Sequence, residues 1–107
     1  MQKHLSAFID AHPEGWGHAD WLGLLAELES AGHDLSDSDA IGVELESERL
    51  AWELRRRAVP GLGPKRIDAV VSRFGNLWKL RQAAPEDLAA IKTIPGALAE
   101  QVVAAVR

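Results

Sequence analysis

The spacing of the apolar residues is the feature that most limits how this chain can fold. Leucine, isoleucine, valine and tryptophan recur at intervals of three and four residues, and the valines and isoleucines do not alternate with polar residues. This spacing places apolar side chains along one face of a helix, whereas a half-buried strand requires a period of two. The sequence therefore predicts an all-α fold.

Glycine and proline divide this periodicity into seven predicted helices. Gly32 and Gly75 stand where two helices should end, and Pro64 and Pro85 stand at first helical positions, where the missing N–H is tolerated. Ser36 or Ser38 is available to cap the third helix. We predict helices over residues 5–11, 19–31, 40–58, 64–74, 77–82, 85–92 and 97–106, with a hairpin after the third helix and another after the sixth.

Charge divides the chain into two parts. The net charge is −4, but residues 1–49 carry two basic and eleven acidic side chains, a net charge of −9, whereas residues 50–107 carry ten basic and five acidic ones, a net charge of +5. We predict an acidic N-terminal helical segment over 1–49 that packs on a basic domain over 50–107 as part of one compact unit. The asymmetry indicates that the two parts have different roles.

Length and composition exclude several classes of protein. A chain of 107 residues buries about 60 to 70% of its unfolded surface, which leaves little room for a catalytic cleft beside the core. The absence of cysteine excludes disulfides, thiolate zinc sites and cysteine nucleophiles. No apolar run approaches the ~18 residues that span a bilayer, and the first residues lead into no signal peptide. We expect a cytoplasmic, non-enzymatic protein that does not bind membranes.

The first hairpin, Val-Pro-Gly-Leu-Gly-Pro-Lys, has the pattern of a phosphate site. Backbone N–H groups at a helix N-terminus hold phosphate well, because they are unpaired and lie at the positive end of the helix dipole. Gly61 and Gly63 leave the approach clear of side chains and permit the positive φ angles of a tight turn, while Leu62 should anchor the loop in the core. Lys65 and Arg66 can add charge-assisted contacts. We predict that five residues bind phosphate: Gly61, Leu62, Gly63, Lys65 and Arg66.

Residues 59–74, the Gly-Asn-Leu that follows them and the later Pro-Glu-Asp-Leu segment resemble the helix-hairpin-helix pair at the C-terminus of UvrC, a subunit of bacterial excinuclease. They are also similar to modules of RuvA and bacterial DNA ligase. The resemblance covers about the last half of the chain and implies a tandem helix-hairpin-helix (SAM-like) fold. It implies binding to duplex or branched DNA without sequence reading, in repair or recombination. It further implies that a monovalent cation can sit on the carbonyls of the first hairpin, and no other cofactor is expected.

The second hairpin departs from the pattern of the first. Aligned without a gap, Leu98 takes the place of the second glycine and Glu100 that of the lysine. Aligned on its Ala-Leu-Ala-Glu segment, which UvrC-like helices share, about three hairpin residues are missing. Both alignments predict a mainly structural hairpin. A secondary set of residues is expected to contribute weakly to DNA binding: Gly96, Lys92, Arg55 and Arg73.

Other interpretations remain open at the level of sequence. The helix pair could be a scaffold, with the acidic segment and its exposed Trp16 loop docking a basic protein partner. The four histidines include no i, i+4 pair on a helix, so we expect no metal site. Trp52 and Trp78 are expected to pack between the two halves rather than to stack on nucleobases.

Overall fold

The computed structural model describes all 107 residues, which form seven α-helices and no strand. The all-α prediction is confirmed, and the fourth and fifth helices have the predicted bounds. The chain divides into two compact units, unit 1 (Met1–Glu48) and unit 2 (Arg49–Arg107), with the boundary inside the third helix. No helix combines the length and hydropathy that crossing a membrane requires. The helices are α1 (Gln2–Ala11), α2 (His18–Ser30), α3 (Ser38–Arg57), α4 (Pro64–Phe74), α5 (Leu77–Gln82), α6 (Pro85–Ala89) and α7 (Gly96–Val106).

Unit 1 is formed by α1, α2 and the first part of α3. The N-terminus of α2 is closed by the N–H of Gly17, which donates to the Asp20 carboxylate at 3.0 Å. At the start of α3 the carboxylate of Asp37, rather than a serine hydroxyl, accepts the N–H of Ala40 at 3.1 Å, so the predicted serine cap is wrong. The buried apolar side chains recur one turn apart on each helix: Leu5, Phe8, Ile9, Leu24, Leu28, Ile41 and Leu45.

The loop between α1 and α2 packs on α1. Trp16 is half-buried, and its ring meets that of Phe8 edge-to-face with the centroids 5.1 Å apart. The prediction of an exposed Trp16 is therefore wrong. The Nδ1 atom of His12 lies 2.8 Å from the carbonyl oxygen of Phe8, and its Nε2 lies 3.6 Å from the carboxylate of Asp20. This histidine is engaged by protein groups on both sides of its ring.

Unit 2 encloses one apolar core between the end of α3 and the helices α4 to α7. Residues from both turns belong to this core together with residues from the helices, so the core fixes the turns in place. Full burial of one such aliphatic side chain contributes about 1.5–3 kcal/mol. The larger core side chains are Leu50, Leu54, Val59, Leu62, Ile67, Val70, Phe74, Leu77, Leu80, Leu88, Ile94, Leu98, Val102, Val103 and Val106.

Local signals explain the break between α4 and α5. Gly75 has a φ of 81°, a left-handed conformation that favours glycine, and its N–H donates to the carbonyl of Val71 at 2.8 Å. The side chain of Asn76 then accepts the N–H of Lys79 at 2.8 Å and caps α5. Both residues act within one turn of their own position, which is why the sequence predicts these bounds.

The predicted sixth helix is too long, because α6 ends at Ala89 rather than at Lys92. Beyond Ala89 the chain forms two tighter turns, with Ile91 N–H donating to Leu88 at 2.9 Å and Ile94 N–H donating to Ile91 at 3.0 Å. Pro95 has no N–H to donate to the carbonyl of Ile91, and that carbonyl accepts the N–H of Ile94 in the tighter turn instead.

Trp78 lies on the surface of α5. Its side chain is 69% exposed, so the prediction that it packs between the two halves is wrong. Leu77 and Leu80 form the buried face of this six-residue helix, and the rotation of about 100° per residue turns Trp78 away from them. Trp52, on α3, is half-buried. The guanidinium of Arg56 lies over its ring, 5.3 Å from the centroid.

Candidate nucleic-acid interface

The turn between α3 and α4 is anchored from inside the protein. Val59 and Leu62 are both buried, and the N–H of Leu62 donates to the carbonyl of Val59 at 3.0 Å. Ala58, the residue that leaves α3, has a φ of 49°, a conformation that costs a residue with a Cβ about 1–2 kcal/mol. The core therefore holds the backbone of this turn in a shape that an isolated peptide would not keep.

The two glycines of this turn have different roles. Gly61 has a φ of 86°, as the sequence predicts. Gly63 does not share that conformation: its φ is −83° and its ψ is 179°, the extended geometry of the residue that precedes a helix. A Cβ at Gly63 would meet no atom within 4 Å, whereas a Cβ at Gly61 would lie 3.8 Å from the side chain of Leu98. Gly61 is needed for its backbone angle, and Gly63 leaves open space before α4.

Four backbone N–H groups of the turn have no acceptor within the chain. They belong to Gly61 and Gly63, and to Lys65 and Arg66 in the first turn of α4. The first internal bond of α4 is donated by Ile67, whose N–H reaches the carbonyl of Gly63 at 3.0 Å. Pro64 has no N–H and so does not interrupt this set. Leu62 does not contribute its amide, because the closing bond of the turn uses it.

Lys65 is the exposed cation of the turn. It forms no ion pair or hydrogen bond with another side chain, so its ammonium group is available to a ligand. The turn opens into a cavity of about 890 Å³ whose lining combines both glycines with Lys65 and, across the cavity, Thr93. An anion entering this space meets backbone dipoles and the positive charges of Lys65 and Arg66, and no acidic side chain lines the cavity.

Arg66 serves an internal contact that the sequence does not reveal. Its Nη1 donates to the carbonyl oxygen of Gly61 at 2.7 Å, and its Nε donates to the carbonyl oxygen of Thr93 at 2.8 Å. One guanidinium thus ties the first turn to the second. Sequence reasoning assigned this side chain to a ligand and missed Thr93, because the acceptors are main-chain oxygens and one of them lies 27 positions away.

The second turn repeats the backbone of the first with an offset of 32 residues. Ile94 donates to Ile91 as Leu62 donates to Val59, and Ala99 donates to Pro95 at 2.9 Å as Ile67 donates to Gly63. This register agrees with the alignment on the Ala-Leu-Ala-Glu segment within α7, and the ungapped alternative is wrong. No residue is missing between the two turns, because Ile94 is equivalent to Leu62 and Pro95 to Gly63. The two carbonyls bound by Arg66, those of residues 61 and 93, are therefore equivalent positions of the repeat.

The same register shows what the second turn lacks. Ala97 stands where the first turn has Lys65, and Pro95 stands in the place of Gly63. Gly96 begins α7 and Lys92 is exposed within the turn, so both lie at the surface beside the cavity wall formed by Thr93. The second turn brings one exposed cation and no pair of glycines.

The two arginines of the predicted secondary set, Arg55 and Arg73, differ in whether the protein already engages them. Arg55 is exposed and has no partner in the chain. Arg73, in the last turn of α4, lies with its guanidinium 5.2 Å from the ring centroid of Phe74. Arg55 lies in the last turn of α3 and Arg73 in the last turn of α4. Neither lies at the N-terminus of α4, where the unpaired N–H groups are.

The two arginines that follow Arg55 form ion pairs with the buried carboxylate of Glu53. Glu53 is only 3% exposed, and its oxygens lie 3.1 Å from Arg57, 3.6 Å from Arg49 and 3.8 Å from Arg56. Arg57 also donates to the carbonyl of Ala105 in α7. The cluster therefore fastens the end of α3 to α7, a role for the arginine-rich segment that sequence analysis missed.

Comparison with known proteins identifies similarity to one kind of protein. Part of the chain is similar to UvrABC system protein C (UvrC): 46% identical over 44 residues to that of Geobacter metallireducens, which is 41% of this chain and 7% of the relative. The identity is 47% over 47 residues for Beutenbergia cavernae and 44% over 54 residues for Symbiobacterium thermophilum, covering 44% and 50% of this chain and 7% and 9% of those proteins. The chain thus corresponds to less than a tenth of the length of these relatives. No protein-family model and no solved structure matches it.

Proposed function

We propose that unit 2 binds the phosphate backbone of DNA without reading base sequence, as a non-enzymatic module in DNA repair or recombination. The observation that carries this proposal is the set of four unpaired N–H groups at the start of α4, beside the exposed ammonium of Lys65. The similarity to UvrC supports the repair context. The matched stretches cover a small part of those relatives, which is consistent with a binding module.

The chemistry of the turn suits a phosphate diester. Its anionic oxygens accept hydrogen bonds, and the N–H groups of Gly63, Lys65 and Arg66 point out of the positive end of the α4 dipole. The Lys65 ammonium adds a charge-assisted contact to the same or the next phosphate. Arg66 acts through its amide and through its hold on the turn, and Leu62 acts as the anchor.

Binding of this kind carries no sequence information. Phosphate and sugar contacts fix the position of a protein on DNA, whereas base sequence is read at the edges of the bases in the grooves. The proposed ligand-binding atoms are main-chain amides and one lysine, which contact only the backbone. Duplex or branched DNA is the partner that the resemblance to UvrC implies, and it stays a prediction.

The 32-residue repeat supports the assignment of unit 2 to the tandem helix-hairpin-helix type. Two turns with matching hydrogen bonds, each followed by an eleven-residue helix, are what such a pair requires. A monovalent cation on the carbonyls of the first turn stays a prediction, and the carbonyl of Gly61 already accepts a hydrogen bond from Arg66.

Amide chemical shifts during a titration with a short labelled duplex test this proposal. We expect the largest shifts at residues 61–66 and expect Lys65→Glu to weaken binding about ten- to a hundredfold, because a charge-assisted hydrogen bond contributes about 1.5–3 kcal/mol. Lys3→Glu, the same charge change at an exposed lysine of unit 1, is the matched control and should leave affinity nearly unchanged.

Two results would overturn the assignment of this turn. One is a duplex complex in which residues 61–66 keep their free chemical shifts. The other is a folded Lys65→Glu variant that binds as tightly as the native chain at the same salt concentration.

A further inference from the structure

Trp78 stands apart from the other large apolar residues of unit 2. Three large apolar side chains of the chain are strongly exposed, and the other two, Leu22 and Val43, lie in unit 1. Burying a tryptophan side chain would contribute more than burying most other side chains, yet the fold of unit 2 leaves 69% of this one in water. The core of the unit is already complete without it.

The sequence segment that contains Trp78 is positively charged. Residues 69–85 contain no aspartate or glutamate, but they include Arg73, Lys79 and Arg81. Lys79 is exposed next to Trp78, and Arg81 lies one turn further along the same face of α5. The Nε of Arg81 donates to the carbonyl of Val106 at 2.9 Å, which fixes this guanidinium on the end of α7.

We propose that Trp78 is a stacking platform for an unpaired nucleobase, with Lys79 contacting the phosphate next to that base. An indole ring offers a π-face to any base, and a neighbouring cation neutralises the strand that carries it. The inference rests on the proposed function, because the stacked base belongs to the nucleic acid held by the first turn.

Protein docking fits this surface less well. The centre of a protein–protein interface is depleted in charged residues and enriched in several adjoining apolar ones. Trp78 is a single exposed ring on a short helix that also carries Lys79 and Arg81, and its neighbours Leu77 and Leu80 are buried. A ring with flanking positive charge is complementary to a base and its phosphate.

The position of Trp78 sets the length of the bound strand. α4 begins at the first turn and ends next to α5, and its 11 residues extend about 16 Å at 1.5 Å per residue. Successive phosphates of one strand of a duplex are about 3.4 Å apart along its axis, so a strand that follows α4 needs about five nucleotides to run from the first turn to the start of α5. A duplex shorter than one turn with an unpaired extension is long enough to reach both.

Paired binding measurements on the full chain test the platform. One DNA is a 12-base-pair duplex labelled with a fluorophore. The other is the same duplex with an extension of eight unpaired thymidines at each end. We expect the extension to raise affinity about five- to a hundredfold, the range that alanine substitution of a stacking aromatic residue removes. Trp78→Ala should abolish this gain and leave the affinity for the blunt duplex within about twofold.

Three further variants separate stacking from other effects. Trp78→Phe should keep part of the gain because it retains a ring, and Trp78→Leu should lose it because it is apolar without one. Val43→Ala, at an apolar side chain of similar exposure in unit 1, is the matched control and should change neither affinity. Thermal unfolding of each variant shows that the fold is retained.

The failures of the two proposals are distinguishable. A native chain that binds both DNAs equally, a Trp78→Ala variant that keeps the gain, or a Trp78→Leu variant that keeps it would overturn the platform and leave duplex binding by the first turn intact. Sedimentation showing that the native chain self-associates and that Trp78→Ala does not, with the gain unchanged, would assign Trp78 to a contact between copies. Failure of the blunt duplex to bind would instead overturn the proposed function.

Discussion

Gly61 and Gly63 show how one residue type serves two physical purposes within three positions. The positive φ of Gly61 is a backbone requirement, and no rearrangement of neighbouring side chains could satisfy it. Gly63 has angles open to any residue, and its environment would accept a methyl group. What Gly63 preserves is free space in front of the unpaired amides.

Alanine substitutions at these two positions should therefore diverge. We expect Gly61→Ala to lower the free energy of unfolding by about 1–2 kcal/mol, because it places a Cβ in the left-handed region. Gly63→Ala should change stability by less than about 1 kcal/mol, because the gain from restricting the unfolded chain is opposed by the poorer preference of alanine for the position before a helix. Urea unfolding measures both.

DNA binding by the same pair gives the complementary result. Gly63→Ala, although fully folded, should bind duplex more weakly than the native chain, because its methyl group stands before the amides of α4. Equal destabilisation by the two substitutions would contradict the backbone angles described here.

The limits of sequence reasoning at this scale follow from the range of the interactions. The positive φ of Gly61, the exposure of Lys65 and the burial of Leu62 were predictable, because each follows from the residue type and its immediate neighbours in the sequence. The side-chain bonds of Arg66 were not, since a charge pattern does not reveal a carbonyl acceptor on another turn. Trp78 was assigned to the interior because tryptophan is usually buried, and only the orientation of α5 corrects this.

At the scale of the helices, Glu53 holds an arginine of α3 that donates a hydrogen bond to α7. Its carboxylate is nearly inaccessible and lies among three guanidinium groups, of which Arg57 also reaches α7. A buried carboxylate is stabilised by such partners, and removing its charge leaves their hydrogen bonds incomplete.

We expect Glu53→Gln to destabilise unit 2 by about 1–3 kcal/mol, as measured by thermal or urea unfolding. Glu100→Gln, at an exposed residue of α7, removes the same charge and should change stability by less than about 0.5 kcal/mol. If the two variants proved equally stable, the cluster would not contribute to the stability of unit 2.

Helix boundaries were predictable where the signal lies within the helix or next to it. Proline at the start and glycine at the end of α4, and asparagine before α5, determine these helices locally. The end of α6 was missed because Ile91 and Lys92 are compatible with a helix, and the effect of Pro95 reaches back four residues. The register of the second turn needed the hydrogen bonds themselves.

At the scale of the whole molecule, the two units have opposite charge. Unit 1 carries one basic and eleven acidic side chains, a net charge of −10, whereas unit 2 carries eleven basic and five acidic ones, a net charge of +6. Sequence analysis located this asymmetry to within one residue because it requires only counting. Fewer of these cations are free to contact a ligand, since Arg57, Arg66 and Arg81 form hydrogen bonds within the protein.

Salt dependence of duplex binding should reflect that smaller number. We expect the logarithm of the association constant to fall with the logarithm of salt concentration at a slope of about 1 to 4, and Lys65→Glu to reduce the slope by about 1. Anisotropy titrations at several salt concentrations measure both slopes. A slope near 6 would contradict the contact set and show that most of the cations of unit 2 reach phosphate.

The guanidinium that joins the carbonyls of residues 61 and 93 has a mechanical consequence. Two turns that the core already anchors are also joined at their outer carbonyls, so their spacing is a property of the free protein. A ligand that contacted both turns would meet a preorganised surface and would lose little conformational entropy in ordering it. Rigidity at this junction would then compensate for a small number of contacts.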